Sequence, residues 1–239
     1  QQRRRLGPGS GGVQHSRPIF CVAPAEGLGK EFYVSASMDR QMCVWSHASG
    51  RAAWAVPGLG GHAYAVAFSP LHGSLLAVAV GDASVLLWDC ESAAGGAPRV
   101  PLGFRSRLLW RGVQAKATAL AWHPRREGLL AFACEDGRLG VVDVFSGRHS
   151  LFASRHRGQV YELQWRTPAG EARHLLYSCA ADGKIMVSDE QESDAASKNL
   201  HESVAPSLAG LLADCSDFSW TVDGRHLAVA TGKGQVLVF

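Results

Sequence analysis

Short apolar blocks separated by polar turns run along this chain. The clearest series is Ala63-Tyr64-Ala65-Val66-Ala67-Phe68, then Ser69-Pro70, then Leu75-Leu76-Ala77-Val78, then Gly81-Asp82-Ala83, then Ser84-Val85-Leu86-Leu87-Trp88-Asp89. Each block is strand-length and rich in β-branched or aromatic residues, and no stretch sustains a helical period of useful length. The series recurs about five times, and a unit of short strands that cannot bury its own apolar faces must stack against copies of itself to make a core.

The copies align on their ends: Met38-Asp39-Arg40 to Trp45, Asp82 to Trp88, Asp136-Gly137-Arg138 to Val142-Asp143, Asp182-Gly183-Lys184 to Ser188-Asp189, and Lys233-Gly234 to Phe239. The spacing sits at or slightly above the roughly 40–45 residues of a WD-type repeat, whose unit is one four-stranded blade of a β-propeller. The predicted fold class is therefore all-β, with blades at about 15–58, 59–112, 113–153, 154–210 and 211–239. With strands lettered A to D from the axis outward, strand A takes in Val66-Ala67-Phe68, Ala119-Leu120-Ala121-Trp122 and Leu163-Gln164-Trp165. The B–C turns carry Asp39, Asp82, Asp136 and Asp182, a residue type suited to tight hairpins.

A His, a Ser, an Asp and a Trp at set offsets resemble the hydrogen-bond tetrad that pins the loop before strand A onto strands B and C of a WD blade. The first copy has all four, as His15, Ser35, Asp39 and Trp45; the fourth has His156, Ser178 and Asp182, with Ser188 in place of Trp. The second has Val78 at the Ser position and no matching His. Ser, His and Asp together also suggest a hydrolase, but no strained G-x-S-x-G nucleophile turn accompanies them, and the structural reading accounts for all of them. We expect no catalytic residue.

The six cysteines are scattered without a C-x-x-C pair, so neither a disulfide framework, a metal site nor a cofactor is expected. There is no signal peptide and no apolar run of membrane-spanning length, which points to an intracellular protein without a membrane partner. Residues 1–14, with Arg3-Arg4-Arg5 and several Gly, read as a disordered basic leader, either the edge of a fragment or an RNA-contacting arm. The last unit stops at Phe239 on its third strand, so a fragment of a larger propeller is expected. Two long loops are expected, Glu91 to Pro101 and Asp189 to Leu212.

Net charge is only +3, so bulk charge does not call for nucleic acid. Its distribution does more. Arg40, Arg138, Lys184 and Lys233 follow the B–C turns, and Arg17, Lys116, Arg155 and Arg157 lie in the loops entering strand A. Both sets of loops belong to the same end of a propeller, where each cation can neutralise a phosphate and His62, Tyr64 and Tyr161 can supply stacking surface. Solvated turn cations are the plain alternative.

Several segments go beyond a generic WD pattern: Arg17-Pro18-Ile19-Phe20, Ser37-Met38-Asp39-Arg40, Leu59-Gly60-Gly61-His62-Ala63-Tyr64, Ala119-Leu120-Ala121-Trp122-His123-Pro124, Leu176-Tyr177-Ser178-Cys179 and Ser219-Trp220. In order and spacing they resemble the gem-associated protein five family, the WD-repeat RNA-binding subunits of the survival-of-motor-neuron complex. That resemblance implies tandem seven-bladed propellers in a full-length protein found in cytoplasm and nucleus. It also implies recognition of small nuclear RNA, through a uridine-rich Sm site and a 7-methylguanosine cap, with other complex subunits and Sm proteins as partners. Arg40 matches the family's RNA-contacting pattern directly, and Arg17 and Tyr64 match in residue type. His62 stands where the family has Phe, and Arg155 where it has Tyr. A His face stacks on a cationic methylated guanine less well than a Phe face, so weaker cap binding is expected. The implied RNA-binding set is Arg17, Arg40, His62, Tyr64, Lys116, Arg138, Arg155 and Lys184. A protein-interaction scaffold that uses the same cations for acidic peptides is the other reading.

Overall fold

The computed structural model describes residues 14–24, 32–56, 58–73, 75–89, 106–111, 115–153, 155–167, 173–189, 198–199, 215–221 and 226–238. Every regular element among them is a strand, and the chain divides into two compact units, Gln1–Gly128 and Leu129–Phe239. The leader expected over 1–14, apart from residue 14, lies outside the described residues, as do the loop from Glu91 to Pro101 and most of the one from Asp189 to Leu212.

In the first unit, β1 (Ile19–Pro24), β2 (Phe32–Ser37), β3 (Met42–Ser46) and β4 (Arg51–Val56) pair antiparallel in chain order. So do β5 (Ala63–Phe68), β6 (Leu75–Val80), β7 (Ser84–Asp89) and β8 (Ser106–Arg111), and β9 (Ala117–Trp122) follows. Phe32, Val34 and Met42 of the first sheet share one core with Val66, Leu76, Val78 and Trp88 of the second. Neither sheet encloses that core alone, which is why the apolar pattern had to repeat. The inner strands are also cross-tied, since the Trp122 indole donates to the Ala67 carbonyl at 2.8 Å.

In the second unit, β10 (Leu129–Cys134), β11 (Leu139–Asp143) and β12 (His149–Leu151) pair antiparallel. A four-stranded sheet follows: β13 (Val160–Arg166), β14 (Leu175–Ala180), β15 (Ile185–Asp189) and β16 (Lys198–Asn199). A three-stranded sheet comes next: β17 (Cys215–Trp220), β18 (Leu227–Thr231) and β19 (Val236–Val238). Tyr177, Cys179 and Ile185 pack with Cys215, Phe218, Leu227 and Val229, repeating the shared-core arrangement. Gln164 donates to the Phe218 carbonyl at 3.2 Å and ties the two inner strands. Within the polar stretch expected to hold at most a weak outer strand, β16 is two residues long and pairs with Met186 and Val187.

Two local devices recur. Near its start each of β1, β5, β13 and β17 carries a bulge, where register shifts between Ile19/Cys21, Ala63/Ala65, Val160/Glu162 and Cys215/Asp217. The extra residue, Phe20, Tyr64, Tyr161 or Ser216, leaves the ladder and is re-aimed. In the B–C turns, the residue after the Asp or Lys takes left-handed backbone: Arg40 (φ 64°), Ala83 (φ 65°), Gly137 (φ 85°), Gly183 (φ 73°) and Gly234 (φ 76°). At Gly137 a Cβ would also collide with the His156 carbonyl, whose own amide donates to the Gly137 carbonyl at 3.0 Å.

Candidate nucleic-acid interface

The loops that would face a ligand are held by the tetrads. In the first unit, His15 Nδ1 meets the Asp39 carboxylate at 2.9 and 3.2 Å, and its Nε2 lies 2.7 Å from Ser35 Oγ. The Trp45 indole donates to the same Ser35 oxygen at 2.7 Å. Because the carboxylate can only accept, Nδ1 carries the proton, Nε2 accepts from the Ser35 hydroxyl, and that hydroxyl accepts from Trp45. The amides of Ser16 and Gln41 complete the acceptor capacity of Asp39, at 2.9 and 3.0 Å. Burial alone would raise the Asp39 carboxyl, but the Ser16 amide and the His15 ring outweigh it and hold it below its ordinary value.

In the second unit, His156 Nδ1 meets the Asp182 carboxylate at 3.0 and 3.2 Å and its Nε2 lies 2.8 Å from Ser178 Oγ. The amides of Arg157 and Lys184 donate to Asp182 at 2.9 and 3.1 Å. Burial again opposes the charge on Asp182, and the Arg157 amide and His156 override it, so this carboxyl too is held low. His156 is fully buried, and that desolvation pushes its pKa down against the attraction of Asp182.

The rim of the first unit brings together more than the sequence specified. Phe20 and Tyr64, the bulged residues of β1 and β5, stack at 5.1 Å with 23° between planes, and His62 stands edge-on to Tyr64 at 6.3 Å and 80°. His62 is tethered on both sides: its Nδ1 donates to the Met38 carbonyl at 2.7 Å, and its own carbonyl accepts from the Gly81 amide at 2.7 Å. Gly61 allows this close passage, since a Cβ there would sit 2.8 Å from the Asp82 amide. Met38 also binds the Pro18 carbonyl through its amide, and Ser37 Oγ donates to the carbonyls of Arg17 and Pro18, so Arg17 and Arg40 flank Met38. Both arginines are exposed, and Lys116 in the loop entering β9 is half-buried.

In the second unit Arg155 and Lys184 are exposed, whereas Arg138 is committed locally. Its Nε and Nη2 reach the Asp136 carboxylate at 2.6 and 2.5 Å, which mutes its charge toward a ligand. Tyr161 is exposed at its bulge. Behind it, burial together with the nearby Asp217 charge pushes the Glu162 carboxyl up to about 7. Of the expected contact residues, Arg17, Arg40, His62 and Tyr64 thus share one rim. Lys116 sits on that unit's strand-A side, and Arg138, Arg155 and Lys184 belong to the other unit. Phe20 joins this rim without having been singled out in the sequence, because an alternating strand pattern does not reveal which residue a bulge ejects.

The chain is 31% identical to human Gem-associated protein 5 over 96% of its length and 33% identical to the mouse protein over 95%, while it spans 16% of the length of either relative. It is also 25% identical over 70% of its length to the ribosome biogenesis protein WDR12 homolog of Chlamydomonas reinhardtii, of which it covers 37%. No protein-family model matches it. The alternating strands, antiparallel sheets and paired tetrads are those of WD-repeat blades.

Proposed function

From the premise that this chain is a homologue of gem-associated protein 5 built of WD-repeat blades, we propose that it binds single-stranded, uridine-rich small nuclear RNA. In that reading it works as part of the survival-of-motor-neuron complex, alongside other subunits and Sm proteins, in cytoplasm and nucleus. The observation that carries the reading is the first-unit rim, where the Phe20–Tyr64 stack stands beside His62, with exposed Arg17 and Arg40 on the flanks. Aromatic faces take unstacked bases and guanidinium groups take phosphates, which is the general means of holding single-stranded RNA. The protein acts by binding rather than catalysis, because the Ser35 oxygen is buried and already engaged by Trp45 and His15.

Titration of labelled uridine-rich RNA over a salt series tests this. With Arg17, Arg40 and Lys116 as the phosphate contacts, the logarithmic salt slope is expected near about −2, and an acidic peptide is expected not to bind. Binding of the peptide with no RNA binding supports the scaffold reading and overturns this one. A 7-methylguanosine cap is expected to add little, because His62 replaces an aromatic hydrocarbon face; a large preference for capped RNA overturns that part alone.

A further inference from the structure

We propose that Cys179 and Cys215 form a reversible disulfide that fastens the β13–β16 sheet to the β17–β19 sheet when a hydroperoxide oxidises the chain, an inference independent of the RNA-binding reading. The described cysteines are free thiols. Cys179 lies on β14, opposite Glu162 of β13 and Ile185 of β15, and Cys215 opens β17, opposite Thr231 of β18. No backbone ladder joins those two sheets. They meet through the core that contains both cysteines, where Cys179 is 0% and Cys215 1% exposed. There the Cys179 thiol donates its hydrogen to Cys215 Sγ, and Cys215 Sγ in turn donates to the Asp217 carbonyl at 3.7 Å. Two sulfurs already in contact need only a side-chain adjustment to reach the bond length of about 2 Å. Cys215 also sits at the bulge of β17, where the backbone departs from regular pairing.

The two thiols are unequal. Accepting the hydrogen of Cys179 holds the Cys215 thiol below its ordinary value, although burial and the Asp217 charge oppose this. Cys179 is pushed up by the same bond, by burial and by the charges of Cys215, Glu162 and Asp217. Cys215 is therefore the attacking sulfur and Cys179 the resolving one. Cys43 and Cys134 are also buried, but that burial pushes their thiols up to about 11 and about 12, so an oxidant meets protonated sulfur there.

The Cys215 sulfur attacks one oxygen of the hydroperoxide, the O–O bond breaks, and the thiol proton leaves with the other oxygen as water or an alcohol. Cys179 then attacks the resulting sulfenic acid, the S–O bond breaks, and the Cys179 proton leaves with the hydroxyl as water. Two thiols lose two electrons and one peroxide gains them. Contact between the sulfurs favours this second step over further oxidation of Cys215. The oxidant enters by local opening of the β17–β19 sheet, which has three strands against the four of its neighbour and exposes Val236 and Val238 on its outer strand.

The test exposes the native chain to hydrogen peroxide, blocks the remaining thiols with N-ethylmaleimide in denaturant, and maps the unreduced peptides by mass spectrometry. One cross-linked pair carrying Cys179 and Cys215 is expected, lighter by two hydrogens than the two peptides together, and it is expected to disappear with dithiothreitol. The cross-linked chain is expected to melt about 5 °C higher, because the link restrains the unfolded chain. Cys179→Ala removes the resolving thiol, so Cys215 is expected to advance to sulfinic acid, whereas Cys215→Ala is expected to leave Cys179 a thiol. Circular dichroism checks that both variants fold, and the mapping of the native chain stands without them. Recovery of both cysteines as blocked thiols, or cross-links spread over other cysteine pairs, overturns the pairing. Sulfinic acid on Cys179 in Cys215→Ala overturns the order of attack, and unchanged melting of the cross-linked chain overturns its role as a fastening.

Discussion

Two B–C turns are built around the same acid and end in opposite kinds of residue. Asp39 and Asp182 each receive a His ring, the amide after that His and the amide two residues on. The next residue in each turn has left-handed backbone, but in one turn it is Gly183 at φ 73° and in the other Arg40 at φ 64°. A side chain in that region costs about 1–2 kcal/mol relative to glycine. The same left-handed step follows Asp82, which has no His partner among the described residues, and Lys233, which has no carboxylate, so the hairpin itself sets the turn's shape regardless of which residue must accept it. Arginine at Arg40 is a departure from the cheapest sequence, as strain at a contact surface often is.

The largest expected effect comes from removing the shared acid. Asp39→Ala strips acceptors from His15, Ser16 and Gln41 at once and is expected to cost about 3–4 kcal/mol in denaturant unfolding. Asp182→Ala is expected to cost less, because Ser188 leaves its tetrad without the indole that Trp45 adds. Equal losses would show that the indole contributes nothing to the network.

Acidity separates the turns next. Both aspartates are held below their ordinary value, so each contributes stability that is present above about pH 4 and lost as pH falls through the lowered pKa. His156, pushed down by burial, adds a loss that begins as pH falls below about 6.5, where the unfolded chain takes up a proton that the folded ring refuses. Glu162 opposes it: its carboxyl, raised to about 7, makes the folded state the better proton acceptor, so its contribution improves as pH falls from 7 toward 4.5. Glu162→Gln is accordingly expected to stabilise by about 2 kcal/mol at pH 8 and by almost nothing at pH 4.5, and to steepen the acid loss of the second unit. A chemical-denaturation series between pH 4.5 and 8 checks both signs.

Smaller effects sharpen the contrast. Trp45→Phe keeps the ring and loses its donor to Ser35, for an expected loss of about 1 kcal/mol. Arg40→Gly relieves the backbone and is expected to gain about 0.5 kcal/mol after the added freedom of the unfolded chain is subtracted, while weakening RNA binding about tenfold. If stability and affinity fall together, Arg40 is held there by packing and not by a ligand.

The sheets, the turn aspartates and both tetrads were legible in the sequence, because each depends on residue types at fixed offsets along the chain. What surrounds them was not. Arg138 reads as a free cation in a list of turn residues, but Asp136 two positions earlier bends back to neutralise it. Phe20 reads as one more strand residue, because a register shift is a property of two paired strands and neither states it alone. His62 reads as an imperfect Phe, and only the Met38 carbonyl shows that its ring has a fixed donor and a fixed acceptor.

The bulges that eject Phe20, Tyr64, Tyr161 and Ser216 give each of their blades one position answerable to no neighbour in the core. Phe20 and Tyr64 answer to each other across the rim, so a change at one is met by the other at the surface and not by the core. A molecule assembled from repeated units thereby acquires a surface on which these four units can differ, and new recognition can be tried without endangering the scaffold.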